Sequence, residues 1–384
     1  MGAKAVISGA ADTAVGKLPH HNCMSIQAEA ARAAIADAGL AATDIDGVLA
    51  SFSFTQPHLM LASVFCEYMG LKPSFTTAVQ SGGATACTAI MIAASLVESG
   101  ASKNVLVVTG DNRLTGLPPG GAAAMLAQVG HSEYEQPYGI SVPAAYALVA
   151  QRYMYEYGVS EESLGAIAVT QRAYAARHPH AHMRDPITLD DVMKSRTIAA
   201  PLKLLDCCLV SDGAAAVVVS APDRAPKDAR VTILGSGQGH THEHISFAPS
   251  LLDFGCKRSA EQAFAGAGVS PAEIDVAEIY DSFTITLTVE LESMGFFGKG
   301  EAALAATAGE LGPKGLLPCN THGGLLSYGH SGAAGGMFHV VEAVDQLRGR
   351  AGPRQIQNAE LAFVHGDGGI LSAHCSLVLG RALA

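Results

Sequence analysis

Four short segments combine ionisable side chains with glycine in a way that a protein core does not require. Ala78-Val-Gln-Ser-Gly-Gly-Ala-Thr-Ala-Cys brings small residues, Gly83 among them, to the mouth of an apolar helix. Free N–H groups there can hold negative charge, and ligand atoms can approach the backbone. The same composition also suits a tight helix–strand packing turn. Asn320-Thr-His-Gly-Gly-Leu-Leu-Ser-Tyr-Gly-His-Ser-Gly-Ala-Ala-Gly-Gly sets His322, Tyr328 and His330 among glycines just before a helix. Glu278-Ile-Tyr-Asp-Ser-Phe ends an apolar run in Tyr280 and Asp281. Asp281 or Ser282 reads simply as a helix N-cap, whereas Tyr280 has no such role. Phe363-Val-His-Gly-Asp-Gly-Gly-Ile puts His365 and Asp367 at a glycine turn closing a strand, and sites in α/β sheets form in the loops after strands. Imidazoles and phenols in such places suit proton transfer and the stabilisation of a developing anion.

The elements that must position these residues are alanine-rich helices alternating with short Val/Ile/Leu runs. Ile26 to Ala38 has helical apolar spacing and stops at Gly39; Asp46 to Phe52 reads as a buried strand. Ala84 to Glu98 is a helix apolar nearly all round, followed by the turn-bounded strand Asn104-Val-Leu-Val-Val-Thr-Gly. A second copy of this unit runs from Ser331-Gly-Ala-Ala to Val364-His-Gly-Asp367, matching Ser81-Gly-Gly-Ala to Val108-Thr-Gly-Asp111. The pattern predicts an internal duplication. Between the halves, Leu114 to Leu205 holds most of the chain's ten tyrosines and the polar run Arg177-His-Pro-His-Ala-His-Met-Arg-Asp-Pro. It reads as an insertion lying over the core, with His178, His180 and His182 on a solvated loop. The expected division is 1–113 plus 206–229 for the first half, 114–205 for the insertion and 230–384 for the second half.

Composition narrows the function. The chain has 384 residues, 49% hydrophobic and 15% charged, which excludes disorder and suits more than one core-sized unit. Lys+Arg is 24 against Asp+Glu 35, a formal charge of −11, so nucleic acid is not an expected partner. The eight cysteines show neither a disulfide scaffold nor a CxxC pair, and read as reduced thiols. No leader and no membrane span is expected, and a cytoplasmic location is. Strand alternation through His240-Thr-His-Glu-His would put three histidines on one face, but no carboxylate or cysteine accompanies them, so no metal is expected.

Taken together, the segments resemble the thiolase superfamily, over nearly the whole chain, and most closely the sterol-carrier-protein-X thiolase and lipid-transfer-protein branch. Thiolases carry an Asn-x-x-Gly-Gly segment leading to Gly-His-Pro; here it is Asn320-Thr-His-Gly-Gly, then Gly329-His-Ser. Asp190-Asp-Val-Met-Lys-Ser, Leu205-Asp-Cys-Cys and Ser211-Asp-Gly-Ala-Ala are similar to the sterol-carrier branch in particular. The resemblance implies an α/β fold of two βαβαβαββ halves in five layers (α/β/α/β/α), an inserted loop domain, and a homodimer.

The departures from the family pattern decide the chemistry. Where thiolases place a nucleophilic cysteine at the start of the buried helix, this chain has Gly83. Cys87 lies one turn deeper, about 6 Å along the axis, and reads as a buried small hydrophobe. The family's Asn-Glu-Ala-Phe element is Tyr280-Asp-Ser-Phe, and its Cys-x-Gly turn is His365-Gly-Asp-Gly-Gly. What remains resembles the steroid side-chain retro-aldolases that lack the cysteine. That implies carbon–carbon cleavage of an acyl-CoA with Tyr280 and Tyr328 as base and acid, and with His330 donating to the thioester oxygen. His365 would relay a proton, and Gly83, His322 and Asp367 would line the substrate. For His178, His180 and His182 the alternative to a solvated loop is a surface touching the coenzyme A phosphates. No cofactor is expected, coenzyme A being part of the substrate. The resemblance also implies a partner subunit with a zinc ribbon and an OB-fold, of the domain-of-unknown-function-35 type. The alternatives are a thiolase acyltransferase using a displaced cysteine such as Cys87, or a non-catalytic acyl-CoA-binding subunit.

Overall fold

Asp212–Ser220 is built almost entirely of small and β-branched side chains, so both faces of a strand there can be buried. Ala215, Val217 and Val219 join one core while Ala214, Ala216 and Val218 join another. Asn104–Asn112 divides in the same way, with Val105 and Val107 facing one core and Leu106 and Val108 the other. A sheet with helices on both sides follows from this pattern. The computed structural model describes residues 4–226 and 229–381. Met1–Ala3, where the absence of a leader was read, lie outside the described residues.

The first half runs β1 (Val6–Asp12), α1 (Cys23–Asp37), β2 (Gly47–Ser51), α2 (Leu61–Met69), β3 (Phe75–Val79), α3 (Thr85–Glu98) and β4 (Asn104–Asn112). An excursion then carries α4 (Gly121–Leu126), α5 (Val142–Tyr157), α6 (Glu161–Ala175), α7 (Leu189–Lys194) and the small hairpin β5 (Thr197–Ala199) and β6 (Leu202–Lys203). The half closes with β7 (Asp212–Ser220). The second half runs β8 (Val231–His240), α8 (Cys256–Ala267), β9 (Val276–Ile279), α9 (Thr284–Ser293), α10 (Ala302–Thr307), α11 (Ala334–Leu347), β10 (Leu361–Gly368) and β11 (Ala373–Arg381). Its third strand is reduced to a single parallel bridge between Ala277 and Cys319.

The strands order as β3-β2-β4-β7-β1-β8-β11-β10-β9, and the halves meet where β1 pairs antiparallel with β8 at Val6 and Ile7. Helices α3 and α11 touch strands of both halves and share one core with Val105, Val217, Val364 and Leu377. Helices α1 and α2 cover the outer face of the first half, and α8 and α9 that of the second. That makes five layers. The excursion packs α5 and α6 against α9 and α10.

Two readings of the sequence are corrected here. Strand β8 ends at His240, so His242 and His244 do not extend its face; His242 is buried with Nε2 3.1 Å from the Ile370 carbonyl. The His178–His182 segment is solvated only in part, at Pro179 and His180. His178 is buried with its ring 4.7 Å from that of Tyr328, His180 meets Asp12 at 3.1 Å, and His182 meets Ser211 at 2.9 Å. Among the described residues no helix is long and apolar enough to cross a membrane.

Candidate active site

Helix α3 begins at a turn that glycine makes possible. Gly82 sits at φ +58°, and Thr85 Oγ1 donates to the Gly82 carbonyl at 2.6 Å while accepting from Ser81 N at 3.0 Å. Gly83 follows, pressed against two other segments. A Cβ at this position would lie 2.1 Å from Cζ of Tyr280 and 2.2 Å from the Asp367 carbonyl oxygen. The volume a side chain at 83 would take is therefore filled by the Tyr280 ring.

Tyr280 emerges from the end of β9, its N–H held by the His365 carbonyl at 3.1 Å. Its hydroxyl lies 2.7 Å from His330 Nε2. On the other side of that imidazole, Arg113 Nη1 lies 3.3 Å from Nδ1, and the Cys208 Sγ lies 3.8 Å from the same nitrogen. Arginine only donates, so Nδ1 accepts and the ring proton of neutral His330 sits on Nε2, directed at the Tyr280 oxygen. Burial, and then the Arg113 cation, push His330 down to about 3, which keeps it neutral. Burial drives the Tyr280 phenol well above its ordinary value, with the Cys208 and Asp367 sides adding to the rise and Arg113 opposing it. Arg113 is itself buried and stacks over the Phe54 ring at 5.2 Å, and among the described residues its Nε has no partner. His330 and Cys208 are partly exposed, which opens the cluster to solvent.

Of the expected site residues the structure brings together Gly83, Tyr280 and His330, with the backbone of Asp367. Tyr328 is not among them, which corrects its pairing with Tyr280. It ends a π-helical turn, Gly324–Tyr328, flanked by Gly323 and Gly329 at φ +110° and +148°. Its fully buried hydroxyl donates to the Asp12 carboxylate, with the His178, His322 and Phe338 rings around it. His365 is corrected likewise. Gly366 faces α3, so His365 and Asp367 face the opposite side of β10. There His365 Nδ1 meets Ser376 Oγ at 2.8 Å, and Asp367 Oδ2 accepts from the Tyr146 hydroxyl at 3.0 Å.

His322 does not line the opening. It is buried 2.9 Å from Glu278, whose carboxyl is held down to about 2 by His322 and His339 against the opposing effect of burial. His330 likewise does not aim at a thioester oxygen, because Nε2 is taken by Tyr280. Asp281 is not the cap of α9; its carboxylate accepts from Leu325 N at 2.7 Å and fixes the π-helical turn.

Arg113 and Cys208 were not read from the sequence as site residues. Arg113 follows the Gly110-Asp111-Asn112 strand end, in the same position relative to its half as other loop residues after strands, and that was the available signal. Cys87 is buried in the central core, its thiol pushed well above the ordinary value by burial and the neighbouring Cys375.

Residues 5–223 match the thiolase N-terminal domain, and residues 237–381 match the family described as thiolase C-terminal domain-like. The chain is 32% identical to an acetyl-CoA acetyltransferase of Methanothermobacter thermautotrophicus, over 96% of this chain and 98% of that one. It is 35% identical to the 17-hydroxy-3-oxo-4-pregnene-20-carboxyl-CoA lyase of Mycobacterium tuberculosis, over 90% and 92% respectively. Among solved structures, an aldolase described as Ltp2-ChsH2(DUF35) superposes with a TM-score of 0.86 at 32% identity, covering 99% of this chain and 98% of its own. With both of its halves matched and its fold shared from end to end, the chain belongs to the thiolase superfamily, within the branch that includes the sterol-carrier-type thiolases and the side-chain-cleaving aldolases.

Proposed function

We propose that this chain is an acyl-CoA carbon–carbon lyase of retro-aldol type, acting on a 3-hydroxyacyl-CoA without an acyl-cysteine. The observation that carries the reading is the Tyr280 ring standing in the space of a side chain at Gly83. An ester carbonyl at this helix mouth meets a phenol, not a thiol.

In retro-aldol cleavage the β-hydroxyl passes its proton to solvent water at the opening beside His330 and Cys208. The Cα–Cβ bond breaks, and a ketone or aldehyde departs from the enolate of a shortened acyl-CoA. The enolate carbon then takes a proton. Tyr280 supplies it, and solvent returns a proton to the Tyr280 phenolate at the end of the cycle. Because its oxygen accepts from His330 Nε2–H, its own proton is free to point into the opening. As that proton leaves, the negative charge on the phenolic oxygen is met by His330 and, behind it, the Arg113 cation. In the condensing direction the same phenolate removes the α-proton. Arg113 acts through His330 and is a positioning residue.

The name of the pregnene-carboxyl-CoA lyase supports a bulky, polycyclic acyl chain bearing a tertiary alcohol. The assembly named for the structural neighbour supports a small partner subunit of the domain-of-unknown-function-35 type. The exposed edge strand β3, with Thr76, Thr77 and Ala78 open to solvent, supports pairing with a second copy. A cytoplasmic location fits the eight free thiols.

Acyl transfer through Cys208 is the second reading, because its sulfur lies 3.8 Å from His330. Burial pushes that thiol up to about 12, and the imidazole nitrogen facing it already accepts from Arg113. Neither arrangement favours a thiolate. The test is product analysis with a 3-hydroxyacyl-CoA and a 3-oxoacyl-CoA, each with and without free coenzyme A, on the chain alone and with a zinc-ribbon partner. Retro-aldol chemistry gives ketone or aldehyde plus shortened acyl-CoA from the hydroxy ester without added coenzyme A. Cleavage of the 3-oxo ester alone, dependent on free coenzyme A, overturns the reading in favour of thiolysis.

A further inference from the structure

On the face of the second half-sheet turned away from α3, β10 and β11 present a square of polar side chains. Asp367 lies directly opposite His374, and His365 opposite Ser376. Glu290 of α9 reaches over them, and Glu290, His365, His374 and Asp367 are all buried. His365 Nε2 lies 3.2 Å from His374 Nδ1. Glu290 Oε1 is 3.5 Å from the first of these nitrogens and 3.7 Å from the second, and Asp367 Oδ1 is 3.9 Å from His374 Nδ1. The carboxylate distances are too long for hydrogen bonds. They are close to the roughly 3.4 Å between neighbouring ligand atoms that each sit about 2.1 Å from a tetrahedral divalent ion.

The surrounding hydrogen bonds prepare the same donor set. Ser259 Oγ donates to the Cys256 carbonyl at 2.9 Å, so the Ser376 hydroxyl, 2.9 Å away, donates to Ser259. Ser376 then accepts from His365 Nδ1–H at 2.8 Å, which leaves the Nε2 lone pair of a neutral His365 facing Glu290. Tyr146 holds Asp367 through Oδ2 and leaves Oδ1 free. Among the described residues neither oxygen of Glu290 has a partner, nor does Asp367 Oδ1. Buried carboxylate oxygens without donors are costly, and a bound cation satisfies them together.

We propose that Glu290, His365 and His374, with Asp367 as fourth ligand, form a binding site for a divalent ion of the zinc class. The donor set is two imidazole nitrogens and two carboxylate oxygens, with Ser376 and Tyr146 as outer partners that orient the ligands. Its role is structural. The ion ties α9 to the β10–β11 hairpin, whose Asp367 carbonyl packs on Gly83 and the start of α3.

The full chain, produced without any partner subunit in zinc-supplemented medium and then gel-filtered, is expected to carry about one zinc per chain by atomic emission. Stripping with a chelator should lower its melting temperature, and zinc alone should restore it. Cobalt loading should give the visible absorption of a four-coordinate site. Glu290→Gln, which keeps the side-chain volume, and His374→Ala should each reduce retained zinc at least about tenfold. A wild-type chain that holds less than about 0.1 zinc after loading, with no change in melting temperature, overturns the proposal. So does zinc retained undiminished in both variants, since the ion would then sit elsewhere.

Discussion

The ring of Tyr280 and the α-carbon of Gly83 are in mutual contact: a methyl group at residue 83 would overlap the phenol at 2.1 Å from Cζ. Each residue makes sense only with the other. Restoring a side chain at 83 displaces the phenol from His330, and the phenol can occupy this place only because residue 83 has none.

Gly83→Cys therefore does not recover a thiolase. The new side chain meets both the Tyr280 ring and the Asp367 carbonyl, an overpacking that costs about 1–3 kcal/mol. The expected outcome is a lower melting temperature, a loss of carbon–carbon cleavage of at least about 100-fold, and no coenzyme A-dependent thiolysis. Undiminished retro-aldol turnover in this variant would remove Gly83 and Tyr280 from the site.

The two tyrosines should part company. Tyr280→Phe removes the proton carrier and is expected to lower kcat at least about 100-fold with little change in melting temperature. Tyr328→Phe instead removes the donor to one oxygen of the half-buried Asp12 carboxylate, whose other oxygen still meets His180, so stability falls first, by about 1 kcal/mol. Its effect on turnover is expected to be at least about tenfold smaller than that of Tyr280→Phe. Steady-state kinetics and thermal unfolding on both variants check the ranking; equal losses of turnover contradict it.

The pH profile tests the protonation state of His330. Burial and the Arg113 cation hold its conjugate acid down to about 3, so the imidazole is neutral across the working range. kcat/KM should show no imidazole inflection between about pH 5 and 8. In Arg113→Gln the largest cause after burial that depresses His330 is gone, and the acid limb should move toward higher pH. A wild-type limb near 6.5 contradicts the neutral assignment.

How much of this was legible in the sequence varied with the kind of interaction. The unbroken apolar runs within Asp212–Ser220 and from Asn104 show their two buried faces directly, since strand side chains alternate whatever the tertiary context. The duplication was legible too, although the third strand of the second half dwindled to one bridge at Cys319, which no local pattern foretold. Gly83, Tyr280 and His330 were legible because each departs from or retains a motif at a chain turn. The direction of Tyr328 was not, because three glycines at positive φ steer the π-helical turn that carries it. His365 could have been placed by strand alternation, since Gly366, its neighbour, is the residue small enough to meet α3. Arg113 and Cys208 come from segments far apart in sequence and meet only at His330.

The thiols outside this chemistry should be dispensable. Cys87 is enclosed in the central core and its replacement by alanine is expected to affect stability, by about 1–2 kcal/mol, more than turnover. Cys208→Ala tests the second reading alone, and turnover within about threefold of wild type is the expected result.

The central claim is that cleavage proceeds with no acyl-enzyme, and it is tested most directly in the Cys87→Ala/Cys208→Ala double variant. A 3-hydroxyacyl-CoA would be mixed with it in the absence of free coenzyme A, with products and intact protein mass read together. The account predicts ketone or aldehyde and shortened acyl-CoA at a rate comparable to wild type, with both proteins unmodified throughout. An acyl adduct on the wild-type chain that the double variant loses together with its activity would contradict it.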